Sequence, residues 1–225
     1  MSQGRSQISR VTRSKTVAKN SYNNMSRWYD LIAGTSEWKF VKIGLDLLEA
    51  ASGEVVLDIG YGTGKSVLTL AHSVGATGQV YGLDLSEGMQ GIAGDRLKRA
   101  GLSERVDLRV GDAAKLPFED QHFDAVFTSF TLELFDTPEI PIVLRECHRV
   151  LRKNGRLILV SMSRAGDENL AVKMYEWAHV QFPKYVDCRP IYVTESLTET
   201  GFQVAESSSF KMWGLPVEVV LGIPV

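Results

Sequence analysis

Residues 55–64 read Val55-Val56-Leu57-Asp58-Ile59-Gly60-Tyr61-Gly62-Thr63-Gly64, and this stretch decides the fold. Val55–Leu57 is a short β-branched run suited to a strand buried on both faces. Three glycines at alternate positions then turn the chain sharply. Helical apolar spacing resumes at Val67, Leu68, Ala71 and Val74. A strand, a tight glycine turn and a helix make the first half of a nucleotide-type βαβ unit. The next apolar run, Gln79–Leu83, ends at Asp84, twenty positions beyond Gly64. An acid placed there can accept hydrogen bonds from both ribose hydroxyls of an adenosine ligand.

Spacing separates the ligands that use such a turn. A dinucleotide fingerprint counted from Gly60 or from Gly62 finds Lys65 or Val67 where its last glycine belongs. A phosphate-binding P-loop would use Gly64-Lys65-Ser66, but Ile59 stands where its first glycine is needed, and Asp58 would crowd the phosphates. What remains is Asp58-x-Gly60-x-Gly62-x-Gly64. It resembles motif I of the class I S-adenosylmethionine-dependent methyltransferases. The resemblance implies that the glycines admit the methionine portion of S-adenosyl-L-methionine close to backbone, with its carboxylate at the amide end of the next helix.

Later segments resemble the same family in order. Arg105–Val110 reads as a third strand, followed by Gly111-Asp112-Ala113, where the family's acid meets the adenine amino group. His122–Phe130 resembles the fourth strand, whose end, at Ser129, faces the transferring methyl. Leu144–Leu157 resembles the following helix, turn and fifth strand, with Gly155 as the helix stop. Tyr29-Asp30-Leu31 resembles an N-terminal element of the ubiquinone/menaquinone C-methyltransferase branch, whose tyrosine closes over the cofactor. Ile32-Ala33-Gly34-Thr35 and Arg152-Lys153-Asn154-Gly155 depart from that branch's usual signatures, so the quinone acceptor does not follow from the motifs. The resemblance implies cofactor contacts at Tyr29, Asp58, Gly60, Tyr61, Gly62, Gly64, Asp84, Leu85, Met89, Asp112, Ala113 and Ser129. Tyr61 is bulkier than the family's usual residue and is expected to pack on the cofactor or narrow the acceptor side.

The 225 residues, 44% hydrophobic, suit one α/β domain over residues 16–225. Strands alternating with helices demand a mostly parallel sheet covered on both faces. The family resemblance makes it a doubly wound, Rossmann-like sheet of seven strands, the last antiparallel. A formal charge of −2 gives no global field for nucleic acid. Two cysteines form no disulfide framework, and the four histidines have no metal-ligand spacing, so no metal is expected. No apolar run reaches the ~20 residues of a membrane span, and a cytoplasmic protein is expected.

Arg5, Arg10, Arg13, Lys15, Lys19 and Arg27 all precede the first acid, Asp30. Residues 1–15 read as a flexible basic tail, dispensable for cofactor binding. The same composition fits a mitochondrial presequence or contact with anionic lipid headgroups. Residues 16–50 and 163–192 read as cap elements, rich in aromatics. Tyr22, Trp28, Trp38 and Trp177 are the candidate acceptor contacts, and Gly34 and Gly166 the candidate hinges. An apolar aromatic cap suits a small lipophilic, aromatic or amine-bearing methyl acceptor. Glu133, His179 and Tyr192 are the candidate bases, should the acceptor lose a proton. Two other readings stand beside this one: a cofactor-binding partner subunit without catalysis, and a P-loop nucleotide hydrolase.

Overall fold

β1 (Val55–Ile59) is buried from its second residue onward, because parallel strands flank it on both sides. β2 (Gln79–Asp84) pairs with it in the register Val55↔Gln79 to Ile59↔Leu83. β4 (Phe123–Ser129) pairs on the other side from Val56↔Ala125 to Ile59↔Thr128. Burial on both faces is why β1 shows no apolar–polar alternation. The computed structural model describes residues 10–11, 15–17, 19, 36–164, 172, 174–175, 177, 181 and 188–225.

The remaining strands are β3 (Val106–Val110), β5 (Leu151–Met162), β6 (Phe202–Met212) and β7 (Leu215–Pro224). They complete a seven-stranded sheet in the order β3-β2-β1-β4-β5-β7-β6. β1 to β5 run parallel, and β7 is antiparallel to both neighbours. The order reverses between β1 and β4, and in such sheets the crevice for a ligand opens beyond the carboxyl ends at that point.

One face of the sheet is covered by α1 (Trp38–Leu48), α2 (Lys65–Ser73) and α3 (Glu87–Ala100). The other carries α4 (Ile140–Val150) and α5 (Val193–Thr198). α1 corrects an expectation, since residues 38–48 form a layer helix and not a cap. Val41, Leu45 and Leu48 lie on its buried stripe. Gly44 brings the helix so near the sheet that a Cβ there would stand 2.6 Å from Val160 Cγ2. Only the start of α1, with Glu37, Trp38 and Val41, reaches the cavity described below.

Gly155 does not stop a helix. α4 ends at Val150 and the chain enters β5 at once, Leu151 pairing with Phe123. Gly155 lies inside β5 at a register irregularity, where a Cβ would meet the carbonyl oxygens of Arg152 and Asp124 at 2.9 and 3.0 Å. Its requirement is a close backbone approach.

Candidate active site

Hydrogen bonds pin the glycine turn to the end of β2. Gly60 N–H donates to the Leu83 carbonyl at 2.7 Å, and Gly62 N–H to Asp84 Oδ2 at 2.9 Å. Asp84 Oδ1 accepts from Ser86 N–H at 2.9 Å. Ser86 Oγ then caps α3 by accepting from Met89 N–H at 3.1 Å. One carboxylate thus orients the turn, the strand end and the next helix. Burial raises the Asp84 pKa, and the amides of Ser86, Gly62 and Leu85 hold it down in part.

Two of the glycines have separate physical reasons. At Gly60 (φ +75°) a Cβ would run into the Thr131 side chain. At Gly62 (φ +52°) a Cβ would meet nothing within 4 Å, because that position faces open cavity. The turn therefore presents bare backbone to whatever fills the space.

Beneath the turn lies Asp58, fully buried, with one oxygen taking the Ser66 hydroxyl hydrogen bond and the other without a partner among the described residues. Burial pushes its pKa up to about 7, opposed by Ser66 and aided by the charge of Asp84. The Tyr61 ring turns inward over Gly82, where a Cβ would stand 2.6 Å from its Cδ1. Its bulk thus goes mainly into the core, not across the acceptor side. Burial raises the Tyr61 pKa, and its buried hydroxyl has no partner among the described residues.

The cavity above the turn measures about 220 Å³. Of the expected cofactor residues, Gly60, Tyr61, Gly62, Asp84, Leu85, Met89, Asp112, Ala113 and Ser129 share its wall, while Asp58 and Gly64 are not on it. Asp112 Oδ1 accepts from Ala114 N–H at 3.0 Å. Arg149 steadies the loop after Asp112 by donating to the carbonyls of Leu116 and Phe118 at 3.1 and 2.8 Å. Trp38 lines the cavity. Tyr22, Trp28, Tyr29, Gly34, Gly166 and His179 lie outside the described residues.

The candidate bases fare differently. Glu133 is fully buried and absent from the wall, with its oxygens turned to Ser161 Oγ at 2.9 Å and Met162 N–H at 3.2 Å. It ties the 3₁₀ turn Leu132–Leu134 to β5 and cannot reach the cavity contents. Burial pushes its pKa up to about 7, against those hydrogen bonds. Tyr192 stands at the start of α5, off the wall. Trp177 is helical and 60% exposed, also off the wall.

Sequence reasoning missed Val11, Lys15, Glu37, Phe135, Asp136 and Glu139, all on the wall. Arg189, fully buried, was missed too. Its Nη2 donates to the Phe135 carbonyl at 2.7 Å, holding that wall segment.

Among the described residues no group of His, Cys, Asp and Glu is placed to hold a metal, and no helix is long and apolar enough to cross a membrane. The P-loop reading fails on the geometry, since the Ser66 hydroxyl is tied to Asp58.

Residues 56–155 match the family model of a methyltransferase domain. The chain is 38% identical over 127 residues to a 2-phytyl-1,4-naphtoquinone methyltransferase of Synechococcus elongatus, covering 56% of this chain and 53% of that one. It is 38% identical over 135 residues to the ubiquinone/menaquinone biosynthesis C-methyltransferase UbiE of Pseudomonas fluorescens, covering 60% and 52%. The chain spans about half the length of these curated relatives. In fold it is similar to the [4+2]-cyclase SpnF, with a TM-score of 0.76 at 20% identity, covering 98% of this chain and 100% of that one. The fold is that of the class I methyltransferases.

Proposed function

We propose that this chain, whose residues 56–155 are a methyltransferase domain resembling the quinone C-methyltransferase branch of the class I enzymes, transfers a methyl group from S-adenosyl-L-methionine to a small lipophilic, ring-bearing acceptor. The observation that carries this reading is Gly62, whose backbone is held by Asp84 and whose Cβ direction opens into the cavity at the strand-order reversal.

The bound cofactor would supply a methyl group on a sulfonium that departs as a neutral thioether. The chain's own residues then bind, align and exclude water, and such positioning contributes ~7–11 kcal/mol in well-oriented reactions. Asp84 would accept from the ribose hydroxyls with its remaining lone pairs, Asp112 would meet the adenine amino group, and Gly60–Gly62 would admit the methionine portion. Trp38, Val41, Leu134 and Phe135 make the apolar side of the wall, suited to a ring. Glu37, beside Trp38 on that wall, would offer a carboxylate to an acceptor proton in the role expected for Glu133. The relatives' printed names, naming naphtoquinone and ubiquinone/menaquinone chemistry, support an acceptor of the quinol class.

The fold alone does not select this reaction, since SpnF is named a cyclase. Incubation with isotope-labelled methyl donor and a reduced short-chain naphthoquinone tests it. Label on the ring carbon is the expected result. Tight binding of S-adenosylhomocysteine with no label on this or any extracted lipophilic acceptor would favour a cofactor-binding partner without catalysis.

A further inference from the structure

The basic segment near the N-terminus does not trail away from the domain. Arg10 Nε donates to both oxygens of Asp136 at 2.8 Å, and Val11 N–H donates to Asp136 Oδ1 at 3.1 Å. Lys15 Nζ lies 2.6 Å from Asp112 Oδ2 and 2.7 Å from Glu139 Oε1, and 5.8 Å from the centre of the Phe135 ring. Lys19 pairs with Glu87. The four acids come from three connections at the carboxyl edge of the sheet: Glu87 after β2, Asp112 after β3, Asp136 and Glu139 after β4. Val11 and Lys15 themselves line the cavity. Arg10 and Val11 thus sit against the connection after β4, Lys15 bridges the connections after β3 and β4, and Lys19 reaches the one after β2.

We propose that this segment is an electrostatic latch over the cofactor cavity, and that Lys15, bridging Asp112 and Glu139, is the positioning residue that sets how fast the cofactor enters and leaves. The proposal rests on the cofactor reading above. Asp112 spends one lone pair of Oδ1 on Ala114 N–H and one of Oδ2 on Lys15. Each carboxylate oxygen has two, so Lys15 and an adenine amino group can share this acid. The latch therefore closes over an occupied cavity as well as an empty one, and exchange in either direction requires it to open. Its ties are partly exposed ion pairs, each individually weak and screened by salt beyond a Debye length of ~10 Å at 0.1 M. A gate of this kind opens readily and answers to ionic strength.

Two measurements on the full chain test the latch. The first is stopped-flow association and dissociation of S-adenosylhomocysteine for wild type, Lys15→Met and Lys15→Arg. Lys15→Met raises both rates roughly five- to tenfold, the worth of one to two exposed pairs, and leaves the dissociation constant nearly unchanged. Lys15→Arg keeps the slow rates. High salt speeds the wild type more than Lys15→Met, which keeps only the Arg10–Asp136 and Lys19–Glu87 pairs. The second is limited trypsin digestion without ligand, read as the cut after Lys19, which Lys15→Met accelerates and Lys15→Arg does not.

Equal rates in wild type and Lys15→Met overturn the latch and leave the cofactor reading standing. A rise in dissociation alone makes Lys15 a simple ligand contact and also overturns it. Failure of the wild type to bind S-adenosylhomocysteine removes the cofactor reading and the latch's function with it, whatever trypsin shows.

Discussion

Asp84 and Glu133 show how far residue identity travels without its surroundings. Both are acids at strand or turn ends, and the sequence gives each a site role. Asp84 keeps a place on the cavity wall but also holds Gly62 and Ser86 by hydrogen bonds. Asp84→Ala should therefore weaken S-adenosylhomocysteine roughly a hundredfold or more, from loss of two charged hydrogen bonds of ~1.5–3 kcal/mol each. It should also lower the melting temperature, because two amides lose their acceptor. Calorimetric titration beside a thermal melt separates these effects, and an unchanged affinity in a folded variant contradicts the assignment. Glu133 serves the fold, with its pKa raised to about 7 by burial. An acid raised in the folded state binds its proton more tightly there, so stability is greatest below the ordinary Glu value of ~4.3 and falls as pH rises through about 7. The stability of Glu133→Gln relative to wild type should rise as pH rises through about 7, because the variant lacks this titration, and that gap should narrow in acid. Asp58, also raised to about 7, keeps part of the slope. Denaturant melts across pH check this, and a gap that widens in acid contradicts it.

At the scale of elements, spacing placed most of the sheet. β2 and β4 fall where the runs Gln79–Leu83 and His122–Phe130 put them. The β4–β5 region was less legible, because β5 begins directly after α4 with no glycine between, and Gly155 answers to a bulge instead of a helix end. The loop 111–122 carries a device that no local pattern announces. Arg149, thirty or so residues along the chain, donates to Leu116 O, Phe118 O, Asp120 and Glu146. Glu146 in turn accepts from Leu116 N–H at 2.8 Å. This staple fixes the course of the loop that begins at Asp112. Arg149→Met leaves those carbonyls unpaired and should cost ~2–3 kcal/mol, with weaker S-adenosylhomocysteine binding as the loop loosens. The Arg149 guanidinium holds the Glu146 carboxyl below its ordinary range, against some burial. That contribution is present above pH ~4.3 and is lost as pH falls through the lowered value. The stability difference between variant and wild type should therefore shrink in acid. A difference independent of pH would show that the ion pair contributes nothing beyond the carbonyl bonds.

For the whole molecule, the glycine turn and the acids after β2 and β3 were legible because local chain geometry brings them to one sheet edge. The acids after β4 and the basic segment 10–19 were not, because their meeting is tertiary. Arg10 and Asp136 are 126 positions apart, and a charge run in a sequence reads as solvated until the acids that face it are placed. Val11 and Lys15, expected in a dispensable tail, accordingly belong to the wall. The account's central claim is that bare backbone at Gly62 receives S-adenosyl-L-methionine. Its most direct test is calorimetric titration of S-adenosylhomocysteine into wild type and Gly62→Val, with magnesium nucleoside triphosphate as the control ligand. The account predicts binding at one site per chain in the wild type, none in a folded Gly62→Val, and none of the triphosphate in either. Undiminished binding by Gly62→Val, or no binding by the wild type, would contradict it.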